Sequence, residues 1–330
     1  MNASPLSRRP GKRRRSKDRS ALRKRLEAQL LLAGAWLVGA LPPGWGNGLA
    51  RAAGGWAWKR CTSRREVTLS NLRRALGSEL GEEAIERIGE QSFENLARTV
   101  VENCRLWVRG PDRVGEVVRV EGLHHVERAR REGKGIIFFT AHLGNWELVA
   151  LYSAHRGYPL HLVARPLDYP YLDARLSALR SRWGNRVVSK RNPLWDCVRL
   201  LRQNAALAIL LDQNVLPRQG VFVDFFGRRA CTSPMAAMLA LRTGAACLPV
   251  FVTREPDGRH LIRVGEPIPP VRTGDVARDV VETTARFTRA IEAAIRERPG
   301  QWLWMHRRWK ARPDEEVRVG GSVRRTEAGR

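Results

Sequence analysis

The chain has 330 residues, 43% of them hydrophobic, enough to bury one large α/β core with an appendage. Its formal net charge of +26 points to acidic partners: nucleic acid, anionic lipid or an acidic carrier protein. The five cysteines are odd in number, scattered and without a C-x-x-C pair, which speaks against a disulfide framework and suits reduced thiols in a cytosol-facing domain.

Residues 1–25 carry eleven Lys or Arg among Ser, Pro and Gly, so residues 1–27 are expected to be a disordered basic arm. No charge falls between Ala28 and Ala50, but Pro42-Pro43-Gly44 breaks the run and leaves an apolar helix of about fourteen residues. Such a helix is about 21 Å long, short of the ~30 Å hydrocarbon core. Residues 28–60 therefore read as a shallow membrane anchor, with Trp36, Trp45, Trp56 and Trp58 at the interface and the basic block facing anionic head groups. A buried core helix is the alternative. Residues 61–313 are expected to form the main domain and residues 314–330 a disordered tail. Helical periodicity covers residues 64–76 and 82–108, the second through Ile85, Ile88, Phe93, Leu96, Val100 and Val101. A short strand follows at residues 117–120. The neighbouring His124-His125 reads as a surface pair, because no third metal ligand lies at a useful spacing.

The most informative stretch is residues 136–150. Ile136, Ile137, Phe138 and Phe139 are an apolar, β-prone run that suits a strand covered on both faces. His142 then falls at the carboxyl end of that strand, where open α/β sheets place their ligands. Gly144 allows a close turn, Asn145 can cap the next helix, and Glu147 sits in its first turn. On one continuous helix His142 and Glu147 would point some 140° apart, roughly the angle that five steps at 3.6 residues per turn leave, so they converge only if His142 lies in the turn. A carboxylate beside an imidazole fixes its tautomer and leaves the other ring nitrogen free to take a proton from a hydroxyl. A loop histidine and a helix-dipole acid are the plainer reading of the same two residues.

Alternation continues with strands at residues 160–164, 186–188 and 206–211 and helices at 171–183 and 194–203, which implies a largely parallel sheet flanked by helices. Arg165 and Asp212-Gln213 end two of these strands on the same sheet edge as His142. Thr232-Ser233-Pro234 starts a helix with Ser at the N-cap. Residues 246–252, with Pro249 inside, read as an edge or irregular strand, and residues 260–264 as its partner after the turn Pro256-Asp257-Gly258. A long amphipathic helix covers residues 275–297 through Val276, Val280, Phe287, Ile291 and Ile295. The last ordered segment, QWLWMHRRWKARP at residues 301–313, reads physically as an amphipathic interfacial patch.

His142-Leu-Gly-Asn-Trp-Glu147 resembles the first motif of the lysophospholipid acyltransferase superfamily, and the chain from about Glu66 to Pro313 is most similar to the bacterial lipid A late acyltransferases. The resemblance extends to Arg165-Pro166, to Asp212-Gln213 with residues 220–229, to the Pro249 strand and to residues 301–313. It implies a glycerolipid-acyltransferase-like α/β fold with His142 as general base and Glu147 as its partner. It implies substrate contacts at Arg165, which would hold an acceptor phosphate, and at Asp212, Gln213 and Arg228. No metal or redox cofactor is called for. The implied partners are an acyl thioester on acyl carrier protein or coenzyme A, a glycolipid acceptor and an anionic membrane, at the cytoplasmic face of the inner membrane.

A phosphatidylinositol mannoside acyltransferase using acyl-coenzyme A shares the same motif and is the nearest alternative. A nucleic-acid-binding protein would suit the charge and the aromatic-basic segment, but the charge is spread along the chain and no helix-turn-helix, zinc-finger or RNA-recognition pattern occurs. Hydrolase and nucleotide chemistry lack their usual signatures: there is no G-x-S-x-G, Walker loop, G-x-G-x-x-G or H-E-x-x-H.

Overall fold

A computed structural model of the protein describes residues 11–110, 113–163, 170–181, 183–188 and 193–313. Four helices come first: α1 (Gly11–Ala40), α2 (Pro43–Arg60), α3 (Thr62–Leu76) and α4 (Glu82–Arg109). Pro43 opens α2 at a position where its missing N–H costs nothing. The α1 helix takes in residues 11–27, where the composition suggested a disordered arm. Both α1 and α2 pack along α4. The approach is close because Gly54 carries no side chain: a Cβ there would sit 2.6 Å from the Glu94 Cα. No described helix is long and apolar enough to cross a membrane.

The α/β region follows as α5 (Val114–Val117), β1 (Val118–Glu121), α6 (Leu123–Arg131), β2 (Ile136–Thr140), α7 (Glu147–His155), β3 (His161–Val163), α8 (Pro170–Ser181), β4 (Arg186–Val187), α9 (Pro193–Arg202) and β5 (Ala206–Leu210). It continues through β6 (Val221–Phe225), β7 (Arg228–Thr232), α10 (Met235–Thr243), β8 (Ala246–Arg254), β9 (His260–Val264) and α11 (Val276–Glu297). Seven strands form one sheet in the order β1-β9-β8-β2-β5-β3-β4, and β6 and β7 form a separate hairpin. Every neighbouring pair in the sheet is parallel except β8 and β9.

Alternation along β2 divides the core. Ile137 and Phe139 face a layer that includes Leu72, Ile85, Leu207, Phe287, Ile291 and Trp302, while Ile136 and Phe138 face Leu148, Leu151, Leu248 and Val250. All five residues of β2 are buried, as expected of a strand covered on both faces. The expectation that Pro249 marks an edge fails, since β8 lies inside the sheet between β2 and β9. The carbonyl of Pro249 accepts from the Gly265 N–H at the end of the β9 ladder, so the missing proline N–H removes only a terminal bond. Two positions on the predicted helical stripes are exposed instead, Val100 and Val276. Asp275 caps α11, accepting from the N–H groups of Ala277 and Arg278. At α10 the N-cap is Pro234, and Ser233 Oγ accepts from the Met235 N–H at 3.4 Å.

Candidate active site

The register of the two central strands builds the site. Thr140 of β2 lies beside Leu210 of β5, and the Leu211 N–H donates to the Thr140 carbonyl at 3.1 Å. Two residues on, His142 and Asp212 leave parallel strands side by side at the carboxyl edge. This is also where the topology switches sides, since β5, β3 and β4 lie to one side of β2 and β8 to the other. His142 Nδ1 is 2.8 Å from Asp212 Oδ1, and the His142 backbone N–H donates to Asp212 Oδ2 at 2.8 Å. The Trp302 indole N–H donates to the same Oδ2 at 2.8 Å.

These contacts decide the charges. Burial alone would push the Asp212 carboxyl up, but the His142 charge and hydrogen bonds, with the Trp302 N–H, bring it down to about 2. Burial likewise works against a charged His142, yet the Asp212 charge and hydrogen bond, helped by the Glu147 charge, raise its pKa above the ordinary imidazole value. With Nδ1 facing a carboxylate, the neutral ring carries its proton there and turns the Nε2 lone pair outward. The Gln213 side-chain nitrogen lies 3.3 Å from Nε2 on an exposed residue, and the Trp146 ring stands edge-on at 4.9 Å between centroids.

The segment after α11 closes this arrangement from behind. Leu303 donates its backbone N–H to the His142 carbonyl at 3.1 Å, and Leu143 and Trp302 form a β-bridge. Trp302, Trp304 and Trp309 are buried in the core, so the tryptophans do not face an interface as their composition suggested, while Arg307, Lys310 and Arg312 stay exposed. Arg308 is fully buried, with its guanidinium 5.0 Å from the Phe225 ring centroid. Its Nη1 donates to the carbonyls of Cys231 at 2.8 Å and Gln213 at 3.3 Å, and its Nη2 to the Thr232 hydroxyl. Burial lowers its pKa to about 10, which leaves it cationic at neutral pH and within reach of the Asp212 charge. His306 Nε2 accepts from the Asn214 N–H at 3.0 Å, and burial lowers its pKa, in keeping with a neutral acceptor.

The predicted residues divide accordingly. His142, Asp212 and Gln213 come together. Glu147 does not meet His142 as its hydrogen-bond partner: it begins α7 and pairs with Arg180 at 2.6 Å, and the carboxylate hydrogen-bonded to the ring is Asp212. Arg228 donates to the Arg74 carbonyl at the C-terminus of α3, and no hydrogen bond among the described residues links it to His142. Arg165 lies outside the described residues. Gly144 turns the chain at φ +57°, where an added Cβ would collide with the Val252 carbonyl. Asn145 is not a side-chain cap: its amide donates to Glu102 at 3.0 Å. Trp302 and Arg308 were missed as site residues, although the sequence supplied a signal in the density of Trp and Arg within one short segment.

An imidazole backed by a buried carboxylate at the switch point of an α/β sheet has the chemistry to take a proton from a hydroxyl. Comparison with known proteins narrows the class: residues 13–311 match the model of the bacterial lipid A biosynthesis acyltransferase family, so the chain belongs to that family and is an acyltransferase. It is 28% identical over 284 residues to the lipid A biosynthesis lauroyltransferase of Escherichia coli (strain K12), covering 84% of this chain and 90% of that protein. It is 25% identical over 295 residues to the myristoyltransferase of the same organism, covering 86% and 89%. It is also 29% identical over 291 residues to the phosphatidylinositol mannoside acyltransferase of Mycolicibacterium smegmatis, covering 87% and 92%.

Proposed function

We propose that this chain moves a fatty acyl group from an acyl thioester on acyl carrier protein to a hydroxyl of a lipid A precursor, at the cytoplasmic face of the inner membrane. The observation that carries the reading is the His142–Asp212 pair, with Nδ1 held and Nε2 turned outward. The acceptor hydroxyl takes the place of the Gln213 amide at Nε2 and gives up its proton as its oxygen attacks the thioester carbonyl. Asp212 holds the imidazole in the right tautomer and stabilises the imidazolium that forms. The tetrahedral intermediate then expels the thiolate, which receives the proton from His142.

Membrane association is supported by a row of exposed apolar side chains on α1 and α2, including Leu30, Leu31, Trp36, Leu37, Trp45 and Trp56. These helices would lie in the interface with their tryptophans at head-group depth. The +26 charge would steer an acidic carrier protein, with an on-rate that falls as salt rises. The mannoside acyltransferase relative supports a second reading, transfer from acyl-coenzyme A to a mannosylated lipid. Mass spectrometry of lipids from cells gaining or losing the gene separates them. A new acyl chain on lipid A supports the first reading, and one confined to a mannosylated lipid supports the second.

A further inference from the structure

Behind the turn that carries His142 lies a second charged cluster that the acyl-transfer chemistry does not use, with Arg254 and His260 buried and the Glu102 side chain 21% exposed. Glu102, on α4, takes both Nε and Nη2 of Arg254 at 2.8 Å, and His260 Nε2 lies 3.3 Å from it. Arg254 and His260 are register partners on β8 and β9. Burial opposes the Glu102 charge, but the hydrogen bonds and charges of His260 and Arg254 hold its pKa at about 2, so it is ionised at neutral pH.

The Gly144 N–H, the Gly144 carbonyl and the Asn145 amide nitrogen are tied to this cluster or to groups that the cluster orients. Glu102 accepts from the Asn145 amide at 3.0 Å. Arg254 Nη1 donates to Asn95 Oδ1, which fixes that amide so that its nitrogen reaches the Gln301 carbonyl at 2.9 Å and the Gly144 carbonyl at 3.4 Å. The Arg254 backbone exchanges two hydrogen bonds with the Gln301 side chain, at 2.7 and 2.8 Å, and the Gln301 carbonyl accepts the Gly144 N–H at 3.0 Å. Thr99 on α4 adds a bond to the Gly144 carbonyl at 3.0 Å.

We propose that Glu102 and Arg254 are positioning residues for His142: as a largely buried ion pair they fix the turn at residues 143–145, and through it the aim of the imidazole at Asp212 and at the acceptor hydroxyl. The proposal rests on His142 being the general base. A buried ion pair stabilises a fold little more than apolar residues of the same volume, so what it contributes here is geometry. Small errors in that geometry are costly, because a 1 Å misplacement remote from the chemistry can slow a reaction by about 10²-fold.

The test separates geometry from packing. Glu102→Gln leaves Arg254 buried and unpaired and should melt well below wild type; Glu102→Leu/Arg254→Met removes both charges and should recover much of that loss. In the full chain labelled with carbon-13 histidine, the His142 titration is followed by NMR and assigned by its loss in His142→Gln. Asp212, Glu147, His306 and Arg308 are the charged or titratable groups around it, and none is altered. In the double variant the His142 midpoint should fall by roughly one unit as its grip on Asp212 loosens. Its kcat should drop about tenfold or more with KM within about threefold, the pattern of a lost transition-state alignment. A stable double variant with wild-type midpoint and kcat would overturn the proposal. Should the double variant not fold, Asn145→Ala decides, since it cuts the side-chain tie between turn and cluster and leaves the ion pair whole. A lowered midpoint and kcat support positioning, and unmoved values refute it. Absence of acyl transfer by wild type would count against the proposed reaction alone, because the imidazole titration needs no turnover.

Discussion

Two tryptophan-rich regions of this chain have similar sequence character and opposite fates. Trp36, Trp45 and Trp56 lie on α1 and α2 with 60%, 75% and 64% exposure, whereas Trp302, Trp304 and Trp309 are at most 6% exposed. Both regions mix Trp with Arg and Lys, and composition assigns both to a membrane interface. What separates them is the disposal of polar groups. In the second region the Trp302 and Trp304 N–H groups find Asp212 and the Pro299 carbonyl, and Arg308 finds two carbonyls and a hydroxyl. These acceptors offset much of the cost of burying a basic aromatic segment, although Trp309 Nε1 and Arg308 Nε are buried without a hydrogen-bond partner among the described residues. The first region faces outward and would need a lipid surface to cover its apolar side chains.

The comparison can be broken most severely at the group the buried cluster serves. His142→Ala should remove nearly all turnover, about 10⁴-fold, with little change in melting temperature. Near-normal turnover by the purified, folded variant would end the mechanism. Asp212→Asn should cost about 10²-fold or more and also move the pH profile. Activity requires neutral Nε2, so the acid limb of kcat/KM in wild type reports the raised His142 pKa. In the Asn variant that limb should shift to lower pH, and a limb that stays put would remove Asp212 from the orienting role. The linked stability has its own sign. The raised His142 pKa makes its protonation stabilising below the unfolded imidazole value, and the depressed Asp212 pKa makes its ionisation stabilising above the unfolded carboxyl value, so the variant should lose most stability between those two values and less as pH falls toward the folded Asp212 value.

Within the tryptophans the contrast sharpens. Trp304→Ala should destabilise by about 3–5 kcal/mol, as loss of a buried aromatic does. Chemical denaturation would show this, and a loss below about 1 kcal/mol would contradict its place in the core. Changing Trp36, Trp45 and Trp56 together to Ser should leave the unfolding midpoint nearly untouched, since exposed sites lie within about 0.5 kcal/mol. The same variant should float poorly with anionic liposomes, and unchanged flotation would refute the interfacial reading of α1 and α2. The smallest expected effect falls on Arg165: if its guanidinium holds an acceptor phosphate through paired hydrogen bonds, Arg165→Lys should lower kcat/KM about tenfold at unchanged stability. A value within twofold would assign it to the surface.

The sheet was largely legible because period-two and period-3.6 patterns respond to burial, and burial is what the chain can encode locally. The seven strand segments of the sheet and α11 fall within a few residues of where the patterns put them. His142 was legible too, since a histidine just past an apolar strand has a defined place in an open α/β sheet. Its partner was not. Glu147 was attractive for nearness in sequence, but a residue in the first turn of α7 projects toward α8, where Arg180 waits. Asp212 was recognised as a strand-end residue of the same edge, yet only the parallel register of β2 and β5 brings its carboxylate to Nδ1, and register is a property of pairing. The burial of Trp302, Trp304, Arg308 and Trp309 was illegible for a related reason: a buried arginine looks like any other until its acceptors, on β7 and beyond β5, are known.

The bond from the Trp302 indole to Asp212 carries a consequence for biosynthesis. Strands β2 and β5 can meet as soon as both have left the ribosome, and His142 can then approach Asp212. The carboxylate, however, lacks its indole donor and its neighbouring guanidinium until residues 302 and 308 have been made, after every strand of the sheet. A chain that ends before residue 302 therefore lacks both the indole donor to this carboxylate and the three tryptophans that fill the core beside β2.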